Sequence, residues 1–164
     1  MTSDRTGTAV VTLPSDREIE ITRVFEAPAE LVFDVWTTPE HVRNWWGYES
    51  DPMTVCDIDL RVGGTYRFVA ANADYGEVAF HGLYKEIERP HRLVSTEVFE
   101  GYPDAATVNT LTLEENEGVT TMTILVLHES KESRDAQIAS GMEKGLQHSL
   151  DRADEVLASL LESA

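Results

Sequence analysis

A chain of 164 residues, 41% hydrophobic and 26% charged, is the size of one ordinary domain with apolar content for a real core. Thirteen basic residues against thirty acidic ones give a net charge of −17, which repels nucleic acid and anionic membranes, since neutralising phosphate takes clustered Lys and Arg. No apolar run approaches the roughly 20 residues that span a bilayer, the opening "MTSDRTGT" has no apolar h-region, and the single cysteine, Cys56, forms no intrachain disulfide, so a cytoplasmic location is expected.

Residues 1–14 read as a disordered or loosely attached tail ending at Pro14, and residues 15–164 as one domain. From Glu18, Ile19, Ile21 and Phe25 alternate with Glu18, Glu20 and Thr22, the period of a strand. In "APAELVFDVWTTPEHVRNWWG", Pro28 suits a first helical turn, and Leu31, Val32, Val35 and Trp36 recur at helical spacing. Thr38-Pro39-Glu40 is a second helix start, with a hydroxyl at the N-cap, proline at N1 and an acid in the first turn. Val42, Trp45 and Trp46 then share one face, and Gly47 can end the helix at positive φ.

About six strands follow, separated by turns and therefore expected to be mostly antiparallel neighbours. They run over Val55 to Leu60, "TYRFVAA", Val78 to Glu88, Leu93 to Phe99, Val108 to Leu113 and Val119 to Leu127. Asn72 to Gly76, including Tyr75, reads as a hairpin connection. Ser133 to Leu161 reads as one long helix with an apolar stripe through Ile138, Met142, Leu146, Leu150, Ala153, Leu157 and Leu160. Beside it runs a row of small residues, Gly141, Gly145 and Ser149, which implies close backbone approach or empty space beneath. The fold class is α+β: a curved antiparallel sheet with two short helices after the first strand and a long C-terminal helix over its concave face.

Four stretches, "VFEAPAELVFDVWTTPEHVRNWWG", "DLRVGGTYRF", "FHGLYKEIERPHRLV" and "SGMEKGLQHSLDRADEVLASL", together resemble the SRPBCC superfamily, the START-like or helix-grip fold shared with plant pollen allergens. More closely, they resemble the branch of homologues of the heat-shock-protein-90 ATPase activator. The resemblance implies a sheet of about seven strands gripping the C-terminal helix, and an apolar cavity between them that the superfamily uses for lipids, sterols, polyketides and hormones. Leu146 stands where the family commonly carries tryptophan, a departure expected to widen or reshape that cavity.

On this reading the cavity is lined by Trp36, Trp45, Trp46, Tyr66, Phe68, Phe80, Tyr84, Glu97, Met142 and Leu146. One of the adjacent tryptophans anchors the core and the other faces the cavity mouth; the alternative is packing for both. Gly82, between Phe80 and Tyr84, would leave room for a ligand, and the tyrosine hydroxyls would take a ligand as partner. Glu97 is a buried acid if Leu93 and Phe99 face inward, and solvated if Val94, Thr96 and Val98 do. Asp57 and Asp59 share a strand face and read as solvated or paired to Arg61 or Arg67. His41, His81, His91, His128 and His148 show no metal-ligand spacing, and no nucleophile or phosphate motif is present, so no metal, cofactor or catalytic residue is assigned. The expected activity is binding of a small hydrophobic or aromatic molecule. A cyclase or aromatase-like enzyme using the same cavity and a chaperone-associated interaction domain are the alternatives. A homodimer through an exposed sheet edge is a further expectation.

Overall fold

The computed structural model describes residues 7–74 and 76–163. Eight strands form one curved antiparallel sheet in the order β1-β2-β8-β7-β6-β5-β4-β3. They are β1 (Val10–Thr12), β2 (Glu18–Phe25), β3 (Met53–Ile58), β4 (Thr65–Asn72), β5 (Gly76–Glu88), β6 (Arg92–Phe99), β7 (Thr107–Asn116) and β8 (Val119–His128). Helices α1 (Ala29–Thr37) and α2 (Pro39–Val42) carry the chain from β2 to the opposite edge at β3, and α3 (Lys131–Ala139) and α4 (Met142–Glu162) close the chain. Strands β3 to β8 follow one another as neighbours, as short turns demand. The β7–β8 hairpin closes on Glu117 and Gly118, both at positive φ, which matches the twist of the paired strands.

Two expectations need correction. The tail is not loose through residue 14: Val10–Thr12 pairs with Glu20 to Thr22 as an eighth strand. Alternation there is too short to announce a strand, and α4 supplies the fastening. Gln147 bonds both the amide and the carbonyl of Ala9, and Asp151 accepts from the Gly7 amide. Residues 1–6 lie outside the described residues, as does Tyr75 of the expected hairpin. The C-terminal helix is also divided. Gly141 adopts φ 83°, a left-handed conformation that stops α3 and lets α4 start in a new direction. The apolar stripe hid this break, because Ile138 and Met142 remain four residues apart.

The core lies between the concave sheet face and the α1–α4 layer. Inward-pointing Ile19, Ile21 and Phe25 of β2 meet Val32, Phe33 and Val35 of α1 and Leu150, Ala153 and Leu157 of α4, all buried. Glu115 accepts from the Ala29 amide at 2.8 Å and so caps α1 from the sheet, a role Pro28 cannot fill; the Thr38 hydroxyl does not cap α2.

Arg23 occupies an inward position of the same row and is 1% exposed. Its guanidinium donates to the Val24 carbonyl at 2.8 Å and to Asp151 at 3.2 Å, has Asp154 at 3.9 Å, and lies over the Phe25 ring at 4.9 Å. A cation in a core is tolerated only with such partners, so this cluster fixes α4 on β2. Because Asp151 keeps some solvent contact and Asp154 remains nearby, Asp151→Ala should cost about 2 kcal/mol in urea unfolding, and Arg23→Met less than half of that. A loss below about 0.5 kcal/mol for Asp151→Ala would contradict this role.

Candidate functional site

The tryptophan pair is divided between two environments. After α2 the chain continues in turns, with the Trp45 and Trp46 amides both donating to the Val42 carbonyl. Trp45 is buried, donates from Nε1 to the Val35 carbonyl at 2.9 Å, and sits 4.4 Å from the Trp36 ring, which in turn meets Phe25. Trp46 points the other way and packs edge-on against Phe68 and Phe80, 5.6 and 5.5 Å away. Gly47, at φ 74°, turns the chain so that Tyr48 lies against Gly145 of α4. Ser149 accepts from the Gly47 amide at 3.0 Å, and Arg152 donates to the Gly47 carbonyl at 2.8 Å. The small residues of α4 therefore admit this turn; they do not leave a void.

A cleft of about 900 Å³ opens elsewhere, between α3 and the adjoining ends of β5 to β8. Val78, Phe80, Phe99, Ala136 and Met142 supply apolar walls, with Tyr102, Asp104 and Ala105 of the β6–β7 loop, Glu129 and Ser130 at the start of α3, and Glu132, Ser133, Gln137 and Ser140 along it. The Phe80 and Phe99 rings, from paired positions on β5 and β6, sit 5.1 Å apart. Trp46 supports that wall from behind through Phe80.

The polar groups of the cleft form a row. Glu97 of β6 pairs with Thr107 of β7, and Thr107 pairs with His128 of β8, so all three project from one face across two strand spacings, roughly 10 Å. Glu97 is surrounded by protein yet keeps an opening to the cleft; burial raises its pKa, and a hydrogen bond from Asn109 offsets part of that rise. The Thr107 hydroxyl fixes Asn109 by donating to its carbonyl oxygen at 3.0 Å. His128 is buried. Its Nε2–H donates to the Gln137 side-chain oxygen, and its Nδ1 accepts from the Ser133 hydroxyl. Burial lowers its pKa, the Gln137 bond opposes this, and nearby Arg134 adds to the lowering, so the ring is held neutral. The floor thus carries a carboxyl whose pKa is raised by burial and, across Thr107, an imidazole whose pKa is lowered by burial.

Of the residues expected to line a cavity, Phe80, Glu97 and Met142 border this cleft. Trp46 and Phe68 stand one ring behind it, whereas Trp36 and Trp45 belong to the packed region around Phe25. Leu146 packs on the core. Tyr66 and Tyr84 are buried with rings 5.5 Å apart, and burial raises both phenol pKa values. The Tyr66 hydroxyl donates to the Thr96 carbonyl at 2.6 Å, so the protein itself is its partner. Gly82 leaves no room for a ligand: a Cβ there would lie 1.9 Å from the Thr96 carbonyl oxygen and 2.7 Å from the Tyr66 ring. The tyrosine directly across the strand pair already fills the space. His128 and Thr107 were not singled out as site residues, although the strand period of Met122, Val126 and His128 marks the histidine as inward. Asp57 and Asp59 are exposed and Asp59 pairs with Arg61 at 2.8 Å, while outward His81 and Arg67 share Glu100. Among the described residues no group of three or more metal-ligating side chains assembles. Among the described residues no helix is long and apolar enough to cross a membrane.

The family model described as "Activator of Hsp90 ATPase homolog 1-like protein" matches residues 26–158. No curated protein matches the sequence. A solved structure from Rhodobacter sphaeroides is 28% identical, with 93% of this chain and 99% of that one covered and a TM-score of 0.85. One from Arthrobacter aurescens is 27% identical over 92% and 91% of the two chains, with a TM-score of 0.82. A structure from Nitrosomonas europaea, 20% identical, shares the fold at a TM-score of 0.81 over 92% and 99%.

The raised pKa of Glu97 fixes the sign of a pH effect. The folded protein keeps a proton that the unfolded chain releases near the ordinary glutamate value of about 4.3, so this group's contribution to stability falls as pH rises from there toward the folded pKa. Glu97→Gln retains a side-chain carbonyl toward Asn109 and removes that dependence. Its melting temperature should exceed the parent's at about pH 8 and converge with it at about pH 4. An equal offset at both pH values would contradict the assignment.

Proposed function

This chain belongs to the family of activator of Hsp90 ATPase homolog 1-like proteins, and from that premise we propose that it binds a small apolar or aromatic molecule in the cleft beneath α3. The observation that carries the reading is the cleft itself. Its volume of about 900 Å³ lies within the range of small-molecule sites, and it joins aromatic walls to a few convergent polar groups, the composition such sites share. The walls provide burial at roughly 25 cal/mol per Å² of apolar surface. The floor provides orientation, because the Glu97 carboxyl and the Thr107 hydroxyl oxygen, whose proton is held by Asn109, can accept hydrogen bonds from a ligand.

The reading of a cyclase-type enzyme asks Glu97, Tyr66 and Tyr84 to converge. Only Glu97 borders the cleft, and Tyr66 spends its hydroxyl on Thr96. Binding therefore has the stronger support. An interaction through the acidic exterior rests on net charge without a defined surface.

The neutral fluorophore N-phenylnaphthylamine should give a saturable emission increase at one site per chain. Ala136→Trp, which projects a large side chain into the cleft from α3, should abolish the response while keeping cooperative unfolding. A response that survives this substitution would place binding elsewhere.

A further inference from the structure

We propose that the cleft selects an apolar or aromatic amine, binding its cationic nitrogen at the rim and its hydrocarbon part against the Phe80–Phe99 wall, and that it rejects carboxylates and phosphates of the same shape. This inference rests on the binding reading above and adds the charge of the ligand to it.

The distribution of charge around the cleft carries the argument. Three carboxylates stand at its rim from three separate segments: Asp104 from the β6–β7 loop, Glu129 from the turn after β8, and Glu132 from the first turn of α3. All three are exposed, and Glu97 lies on the floor beneath them. No Lys or Arg borders the cleft among the described residues. The two cations of α3 do not border the cleft and are engaged by protein groups, although Arg134 is near enough to His128 to lower its pKa. Lys131 pairs with Asp135 at 2.9 Å, and the buried Arg134 bonds Asp135 and the Ser15 carbonyl. The imidazole on the floor is held neutral and offers an anion no charge.

One feature favours an anion, the N-terminus of α3, whose partial positive charge is about half an elementary charge. It is already answered. The Ser130 hydroxyl accepts from the Ser133 amide at 3.1 Å, and Glu132 lies within the first turn. Two full negative charges, Glu129 and Glu132, flank that terminus, so the net field at the rim favours a cation.

Aromatic faces give the same preference. Phe99 is 40% exposed and Tyr102 65% exposed, and both border the cleft beside Asp104. An ammonium seated over such a ring gains an interaction that neither an alcohol nor a carboxylate can make. Acidic groups alone would describe a solvated surface; here they ring an opening whose interior is apolar and aromatic.

The test compares three probes of one shape and different charge, phenylbutylamine, phenylbutanol and phenylbutyrate, by isothermal titration against the full chain at neutral pH. The amine should bind about tenfold more tightly than the alcohol, and the carboxylate about tenfold more weakly than the alcohol. Raising salt from ~0.1 M to ~1 M should narrow the spread, since the rim charges are exposed. Asp104→Asn combined with Glu132→Gln, both surface changes, should bring the amine close to the affinity of the alcohol. Equal binding of all three probes, or tighter binding of phenylbutyrate, would overturn charge selection and leave the cleft as a binding site. Binding by none of them would overturn the binding reading and this inference with it.

Discussion

The buried guanidinium of Arg23 is the constraint from which the rest of the arrangement follows. A charge with 1% exposure must be answered inside the protein, and the answering carboxylates come from α4. That requirement fixes both the position and the rotation of the helix over β2. With α4 so turned, Gln147 and Asp151 hold the N-terminal segment, and Gly145, Ser149 and Arg152 face the Gly47 turn. The turn then determines where the tryptophans go. Trp45 enters the core between the helices and the sheet, and Trp46 swings toward the aromatic residues of β4 and β5.

The same constraint explains why the cleft lies where it does. The α4 end of the groove is filled by Leu150, Ala153 and Leu157 against β2 and α1. Beyond Gly141 the chain bends, and α3 meets the sheet through polar contacts, His128 to Ser133 and Gln137 and Arg134 to Ser15. A helix held by hydrogen bonds at its border leaves the apolar surface of Phe80, Phe99 and Val78 uncovered. The protein thus combines a closed half, where packing stabilises the fold, with an open half, where polar groups face a space. The local stability of α3 should be lower than that of α4, as elements beside binding sites commonly require.

Much of this was legible in the sequence, in proportion to how local its cause is. Alternating residues gave β2 and the later strands, and short turns gave their antiparallel order. The Trp-Trp-Gly stretch announced a core anchor, Trp45, but its expected single face did not show that Trp46 points the other way and packs against Phe68 and Phe80. The parity of Leu93 and Phe99 offered the condition under which Glu97 turns inward, but the choice between faces needed the neighbouring strands. Four features were not readable from local pattern. Arg23 shares the parity of Ile19 and Ile21, yet a cation there looks like an interruption until Asp151 and Asp154 are placed beside it. Gly82 looked like space, whereas its cross-strand partner Tyr66 occupies that space. The break at Gly141 was masked by an apolar stripe that keeps its spacing across it. Thr107 and His128 became site residues only through their register with Glu97, which no single strand reveals.

The central claim is that binding occurs beneath α3 while the region under α4 stays packed. The most direct measurement is an amide chemical-shift map recorded during titration with N-phenylnaphthylamine. The account predicts progressive, saturable shifts at Val78, Phe80, Glu97, Thr107, His128 and Gln137, with Leu150, Ala153 and Ile21 unmoved. Shifts centred on Leu150 and Ile21, or none at the cleft residues at saturating probe, would contradict it.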